Sequence, residues 1–278
     1  MKNRTHTLRF LLFLFFVAFA TGAGYSAKLI RVISLGPSLT QSIYYLGAQD
    51  QLIGCTSYCH SAKVDKKEIV ASAVKPNLEK IASLKPDLVL ASGFTAVRDI
   101  ETLRKLGIRV EVFRSPKSFA EICSQFQTLG NLLGKSEKAN QIVTSSKKRV
   151  DEIAADSKRS GVTPRIFMQI GASPIFTVIP NTFMNDYILY NGCSNIASDL
   201  TKGTIGRELV ISRRPDYIYI VTMGITGTEE KAEWEKFKHI PAVKNNKIFI
   251  LNSDYACQPT PVSFVETLEI MHKQIRNK

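Results

Sequence analysis

"SEKANQIVTSSKKRVDEIAADSKR", Ser136 to Arg159, is the stretch whose reading decides the fold. Ala139, Ile142, Val143, Val150, Ile153 and Ala154 recur along it as one apolar stripe with charged residues between them. The spacing predicts a single helix of about two dozen residues, roughly 36 Å long at 1.5 Å per residue, which is about the width of a small domain. A helix of that length has a natural role as a connector, and the chain on each side of it reads as a unit of its own.

On the N-terminal side, "LIRVISLG" (Leu29 to Gly36) is an apolar, β-branched run ended by Gly-Pro, a buried strand. "PSLTQSIYYLGA" (Pro37 to Ala48) then places Leu39, Ile43 and Leu46 on one helical face, with Ser38 as a cap and Gly47 as the stop. "LIGCTSY" from Leu52, "DLVLAS" from Asp87 and "IRVEVF" from Ile108 read as further strands, with "RDIETLRKLG" and "SFAEICSQFQTLGNLLG" as helices. After "GVTP" the alternation restarts with "RIFMQIG" as a strand, "TFMNDYILYNGC" as a helix, "NKIFILNSD" as a last strand and "VSFVETLEIMHKQI" as a terminal helix. The expectation is an α/β protein of two doubly wound lobes, 28–134 and 161–278, joined by the helix over 135–160, with a ligand cleft between the lobes.

One phrase occurs twice. "EKIASLKPDLVLA" begins at Glu79 and "ELVISRRPDYIYI" at Glu208. In each, Pro (Pro86, Pro215) ends a short helix and a strand follows directly, so the Ser-basic-Pro-Asp part is a helix-to-strand corner that each lobe needs. The leading Glu sits near a helix start, where it complements the dipole and projects from its lobe. Two lobes with one carboxylate each would present a paired acidic surface to a two-fold symmetric partner.

Residues 1 to 27 read as a secretory signal. Lys2, Arg4 and Arg9 precede the apolar run "FLLFLFFVAFA", and small residues follow, placing cleavage after Ala23 or Ala27. The rival is an uncleaved N-terminal anchor, disfavoured by the short apolar run. Loss of those three basic residues lowers the formal net charge from +13 to +10. The basic residues are spread rather than clustered, and an exported chain seldom meets nucleic acid. The charge is therefore a bias toward anionic ligands or surfaces. The five cysteines, an odd number, leave at least one unpaired or intermolecular, and none forms a C-x-x-C pair.

"RVISLGPSLTQSIYYLGAQDQLIGCTSYC", "NLEKIASLKPDLVLAS", "LRKLGIRVEVF", "LGNLLGKSEKA" and "IPAVKNNKIFILNSD", in that order from about Arg31 to Arg276, together resemble the periplasmic binding proteins for cobalamin and ferric siderophores. These are the helical-backbone substrate-binding proteins of ABC importers. The resemblance implies a monomeric carrier in the periplasm, not an enzyme, with no cofactor of its own and no nucleic-acid partner. Its ligand would be a metal chelate (cobalamin or another corrinoid, a ferric siderophore, or haem). It also implies that Glu79 and Glu208 dock onto the two subunits of a permease dimer, and that Ser38, Tyr58, Phe94, Phe176, Asp254 and Tyr255 line the ligand cleft. Departures concern the ligand: cobalamin binders of this family carry several cleft tryptophans, whereas Trp234 is alone here, in a segment that reads as a surface helix. Val74 or Lys75, Phe94 and the Gly203–Thr204 region stand where those aromatics are expected. The family's C-lobe disulfide lacks a match too, with Cys193 at its first position and Met271 or a neighbour at its second.

"SYCHSA" and "DYACQP" place Cys59, His60 and Cys257 in segments expected to face each other, a candidate soft-metal or haem-iron site. The competing readings are a Cys59–Cys257 disulfide and ordinary packing beside a surface histidine. His239 and His272 read as solvated. Lys75, Lys202 and Arg207 are expected near the cleft mouth, where they would attract an anionic chelate. The different-class alternative is a secreted α/β hydrolase or chelatase, for which Asp254 with His60 is the one pair available. The chain has no G-x-S-x-G elbow, no H-E-x-x-H and no phosphate loop.

Overall fold

The computed structural model describes residues 29–72, 75–221 and 227–276. The expected signal segment and Val74 lie outside them. Among the described residues no helix is long and apolar enough to cross a membrane.

The first sheet is built from β1 (Val32–Leu35), β2 (Leu52–Thr56), β3 (Glu68–Ala71), β4 (Leu88–Ser92) and β5 (Val110–Phe113), all parallel, in the order β3-β2-β1-β4-β5. Helices α1 (Pro37–Tyr45), α2 (His60–Val64), α3 (Leu78–Ser83) and α4 (Val97–Lys105) make the crossovers, and α5 (Phe119–Leu132) follows β5. β1 is central and covered on both faces, which is why all four of its residues are buried and its sequence does not alternate. The order reverses between β1 and β4, so the crevice outside their carboxyl ends is a topological switch point.

α6 (Ser136–Arg159) is the 24-residue helix that the apolar stripe predicts. Its buried face is Ala139, Val143, Ser146, Val150, Ile153 and Ser157. The two serines complete the face at positions where small size matters more than polarity. Ile142 and Ala154 lie at its margin. α5 comes so close that a Cβ on Gly130 would stand 2.4 Å from the Ala139 Cβ, a separation only glycine permits.

The second sheet runs β10-β9-β6-β7, formed by β6 (Arg165–Ala172), β7 (Ile175–Thr177), β9 (Tyr217–Val221) and β10 (Ile248–Leu251), with β8 (Ser194–Asn195) also pairing with β6. Around it are α7 (Phe183–Tyr190), α8 (Arg207–Arg213), α9 (Gly227–Glu235), α10 (Pro241–Lys244), α11 (Ser253–Ala256) and α12 (Pro261–Arg276). The two-lobed α/β architecture is present, but this sheet is mixed: β7 is antiparallel to β6. Only Ser173 and Pro174 separate the two strands, and so short a link returns the chain as a hairpin.

One hydrophobic core crosses both lobes, from Val32 and Leu90 through α5, α6, α7 and α12 to Met168 and Tyr219. At its centre Phe264 of α12 is stacked between Phe119 of α5 and Tyr187 of α7, with ring centroids 4.5 Å away on each side. Separate clusters fill the outer faces of the two sheets.

The duplicated corner is the same in both lobes down to single bonds. Lys85 and Arg214, just before the prolines, both adopt φ of 47°, the left-handed conformation that closes a helix. Ser83 and Ser212 hydroxyls donate to the carbonyls of Lys80 and Leu209. Asp87 and Asp216 accept the backbone N–H groups of Arg31 and Arg165 at 2.7 and 2.8 Å, and return a backbone N–H to each carbonyl. The side chains of Arg31 and Arg165 then reach the carbonyls of Leu84 and Arg214 at the helix ends.

Two surface expectations fail. Trp234 is fully buried, because Arg207 stacks on its ring at 4.3 Å and Gln169 accepts its indole N–H at 2.7 Å. His272 is largely buried between α6 and α12, its ring nitrogens 3.1 Å from Asn191 Oδ1 and Asp156 Oδ2.

Candidate functional site

A cleft of about 600 Å³ opens between the lobes, in the size range of clefts that hold cofactor-sized molecules. Its first wall is the carboxyl ends of β1, β4 and β5, where Gly36 lets the turn after β1 come close to Ser92: a Cβ there would meet the Ser92 Cβ at 3.1 Å. Ser38 in the first turn of α1 and Phe94 beyond β4 line this wall, and Phe94 holds its ring out, 76 % exposed. The opposite wall comes from Ile170 of β6 and from β7. Phe176 at the centre of β7 lies between Gly171 and Gly203, and a Cβ on Gly203 would meet its ring at 3.0 Å. The floor is the helix layer, with Ile122, Phe126 and Leu129 of α5 and Met184 of α7.

Charge is nearly absent from this cleft. Among the described residues Arg114, directly after β5, is the one charged residue lining it. Polar groups are supplied by Ser38, Ser92, Ser115, Gln125, Thr182 and Gln258. Cys257 also lines it, and burial pushes its thiol up to about 12, with nearby Asp254 adding to the effect, so it is a neutral thiol.

Ser38, Phe94 and Phe176 therefore meet in one cleft, whereas Tyr58, Asp254 and Tyr255 lie in a second, smaller pocket of about 250 Å³. The two share Pro37 and Gln258, so the smaller pocket continues the larger one at its edge. Tyr58 from the first lobe and Tyr255 from the second are both well exposed on it.

The metal reading of Cys59, His60 and Cys257 is corrected. Among the described residues no three His, Cys, Asp or Glu side chains gather as a metal-holding group. Cys59 is buried under the smaller pocket against Thr40 and Thr56, His60 is exposed at its rim, and Cys257 faces the larger cleft. All five cysteines are free, so the Cys59–Cys257 bridge is not formed either. Asp254 and His60 share the smaller pocket but make no hydrogen bond with each other among the described residues.

Of the basic residues expected at the mouth, Lys75 and Lys202 are exposed, and Lys202 adjoins the cleft-lining Gly203. Arg207 is not free: it pairs with Glu230 at 3.2 Å, and Gln169 donates to the same carboxylate oxygen at 2.9 Å. Glu79 lies in the first turn of α3, whose N-cap Asn77 accepts from the Lys80 N–H at 2.9 Å; Glu208 lies in the first turn of α8. Both are exposed and neither forms an ion pair among the described residues. Each helix starts beside the cleft end of its sheet: Pro76 bridges to Ala71 at the end of β3, and Thr204 bridges to Phe176.

Sequence reasoning missed Arg114, Ser115, Gln125 and Gln258. The first two follow the strand "VEVF" directly, so the switch-point rule applied to every strand end would have found them. Gln125 and Gln258 carry no comparable signal, because one sits within an amphipathic helix and the other in a short loop.

Residues 32–255 match the family model described as periplasmic binding protein. The chain is 30% identical over 254 residues to the uncharacterized ABC transporter substrate-binding lipoprotein YvrC of Bacillus subtilis, covering 88% of this chain and 79% of that one. It is 29% identical over 255 residues to the vitamin B12-binding protein of Yersinia pestis, covering 84% and 89%. Among solved structures it resembles a possible iron-binding (periplasmic solute-binding) protein from Staphylococcus epidermidis (28% identity, TM-score 0.78, 90% and 100% covered). It also resembles the periplasmic vitamin B12 binding protein BtuF of Vibrio cholerae (25% identity, TM-score 0.75, 89% and 97% covered). With two α/β lobes, one long helix between them and a cleft at the switch point, the chain belongs to the periplasmic binding protein family.

Proposed function

We propose that this chain is the exported substrate-binding protein of an ABC importer and that its cargo is a corrinoid of the cobalamin type. The observation that carries the reading is the composition of the interlobe cleft: large, apolar, and with Arg114 as its one charged lining residue. A strongly anionic ferric siderophore needs several cations around it. Haem iron calls for an axial ligand such as His, Tyr, Met or thiolate. Among the described residues the lining of the larger cleft holds no His or Tyr, its Met184 is buried in the floor, and its Cys257 is a neutral thiol. A corrinoid is close to neutral and amide-rich at its edge and carries its own axial base. It suits apolar faces such as Phe94 and Phe176 ringed by serine and glutamine hydrogen-bonding groups. The kinship with proteins named for vitamin B12 points the same way. The same kinship gives the enzyme alternative no support.

Delivery would use Glu79 and Glu208, exposed and unpaired, one per lobe, as contacts for cationic groups on the two halves of the permease. The N-terminal segment with its basic and apolar run would direct export, and the carrier would act as a monomer.

The test is a titration of the purified mature protein with cyanocobalamin, hemin and a ferric catecholate or hydroxamate siderophore, followed by absorption spectra and Trp234 fluorescence. Tight one-to-one binding of the corrinoid with weak or no binding of the other two is expected. Preferential binding of hemin or of the siderophore would overturn the cargo assignment while leaving the carrier role standing.

A further inference from the structure

The one cation in the lining of the larger cleft, Arg114, is held in place by the fold but has nothing to pair with. Among the described residues its guanidinium meets no carboxylate. Its backbone is fixed at two points. Gln125 of α5, whose helix forms the cleft floor, donates its side-chain N–H to the Arg114 carbonyl at 2.9 Å. Gly93, just after β4, lets the chain leaving β5 lie against it: a Cβ there would stand 3.1 Å from the Ser115 nitrogen and 3.5 Å from the Arg114 Cα. That close approach brings Arg114 onto the same wall as Phe94, the residue after Gly93. Ser115 adds a hydroxyl and a backbone N–H, and among the described residues neither makes a hydrogen bond. A guanidinium fork, a hydroxyl and a backbone N–H on two successive residues are a group of donors without an acceptor, the set that an oxyanion takes.

We propose that Arg114 and Ser115 form the subsite for the single anionic group of the cargo, the phosphodiester that joins the nucleotide base of a complete corrinoid to its ring, and that Arg114 thereby selects complete corrinoids over those that lack the nucleotide. This rests on the corrinoid reading of the cleft. One cation suits one anion: the phosphodiester carries a single negative charge and two non-bridging oxygens, which a guanidinium binds as a bidentate pair. A corrin face set on Phe94 puts the edge of the ring, from which the phosphodiester hangs, over the neighbouring Arg114. The apolar surroundings make that pair stronger than it would be in open water. Rejection contributes as much as attraction. A corrinoid without the nucleotide would cover Arg114, strip its water and leave the charge unpaired, whereas the phosphodiester takes the place of that water.

The test compares cyanocobalamin with dicyanocobinamide, which keeps the ring but has no phosphodiester, ribose or base. Both are titrated calorimetrically into the unaltered mature protein and into Arg114→Gln. The unaltered protein is expected to bind cyanocobalamin about tenfold or more the tighter of the two, and Arg114→Gln to lose about tenfold for cyanocobalamin and nothing for dicyanocobinamide. Added salt should weaken cyanocobalamin binding to the unaltered protein and not to Arg114→Gln. Arg114→Lys, which keeps the charge and loses the fork, should fall between them. Unchanged dicyanocobinamide affinity in Arg114→Gln would show at once that the variant is folded with its cleft intact. Equal losses for the two corrinoids, or no loss for either, would overturn the subsite and leave the corrinoid reading standing. Failure of the unaltered protein to bind either corrinoid would overturn both.

Discussion

The carboxylate of Asp87 accepts the backbone N–H of Arg31 at 2.7 Å, and Asp216 does the same for Arg165 at 2.8 Å. The aspartate of the duplicated phrase thus ties the start of one strand to the start of its parallel neighbour, once in each sheet. Asp87→Ala and Asp216→Ala are each expected to cost about 1 kcal/mol, the usual worth of such a bond near solvent, measured by urea unfolding. Lys85→Gly, which relieves the left-handed conformation at φ 47°, is expected to stabilise by about 0.5 kcal/mol, and a loss of stability there would show that the lysine side chain matters more than its backbone.

The cleft faces can be tested by truncation. Phe94→Ala and Phe176→Ala are expected each to weaken corrinoid binding about tenfold, or about 1.4 kcal/mol, with little change in stability because both rings are substantially exposed. Gly203→Val should do as much, because its side chain would displace the Phe176 ring. Calorimetric titration reads all three, and unchanged affinity in Phe176→Ala would remove β7 from the binding surface.

The proposed docking role of the two exposed glutamates can be tested apart from ligand binding. Glu79→Lys and Glu208→Lys are expected to leave ligand affinity intact and to lower transport by the reconstituted importer about tenfold or more each. Loss of ligand affinity instead would place these residues in the cleft.

The acidity of Cys59 gives a pH signature. The neighbouring Cys55 thiol first, then the Thr40 and Thr56 hydroxyls, hold its thiol below the ordinary cysteine value. Alkylation of Cys59 by iodoacetamide should therefore level off at a lower pH than alkylation of the other cysteines. The rates at Cys123, Cys193 and Cys257, whose thiols burial raises to between about 11 and about 12, should still be climbing at alkaline pH.

Gly130→Ala is expected to cost about 1–3 kcal/mol in thermal or urea unfolding, because its methyl meets Ala139 at the α5–α6 contact. Gly130→Ala combined with Ala139→Gly should recover part of that loss.

Where the physics is local, the sequence could be read. The apolar stripe of α6, the Gly-Pro after β1 and the Pro corners each depend on residues within one or two turns of each other, and those elements stand where their patterns place them. β7 and β8 are three and two residues long, too short to show any period. Trp234 looks like a surface residue in "AEWEKF" because what buries it comes from elsewhere: Arg207 from α8, and Gln169 and Phe167 from β6. The cleft residues divide the same way. Ser38, Phe94 and Phe176 line one cleft, while Tyr58, Asp254 and Tyr255 line the smaller pocket that shares Pro37 and Gln258 with it, a division that no linear spacing encodes.

The stack of Phe119, Phe264 and Tyr187 also constrains when this chain can fold. The middle ring lies on α12, and without it the rings of Phe119 on α5 and Tyr187 on α7 lose the partner stacked between them. Both lobes contribute to the core that α12 completes, so melting should be a single cooperative transition that disappears on truncation before Pro261.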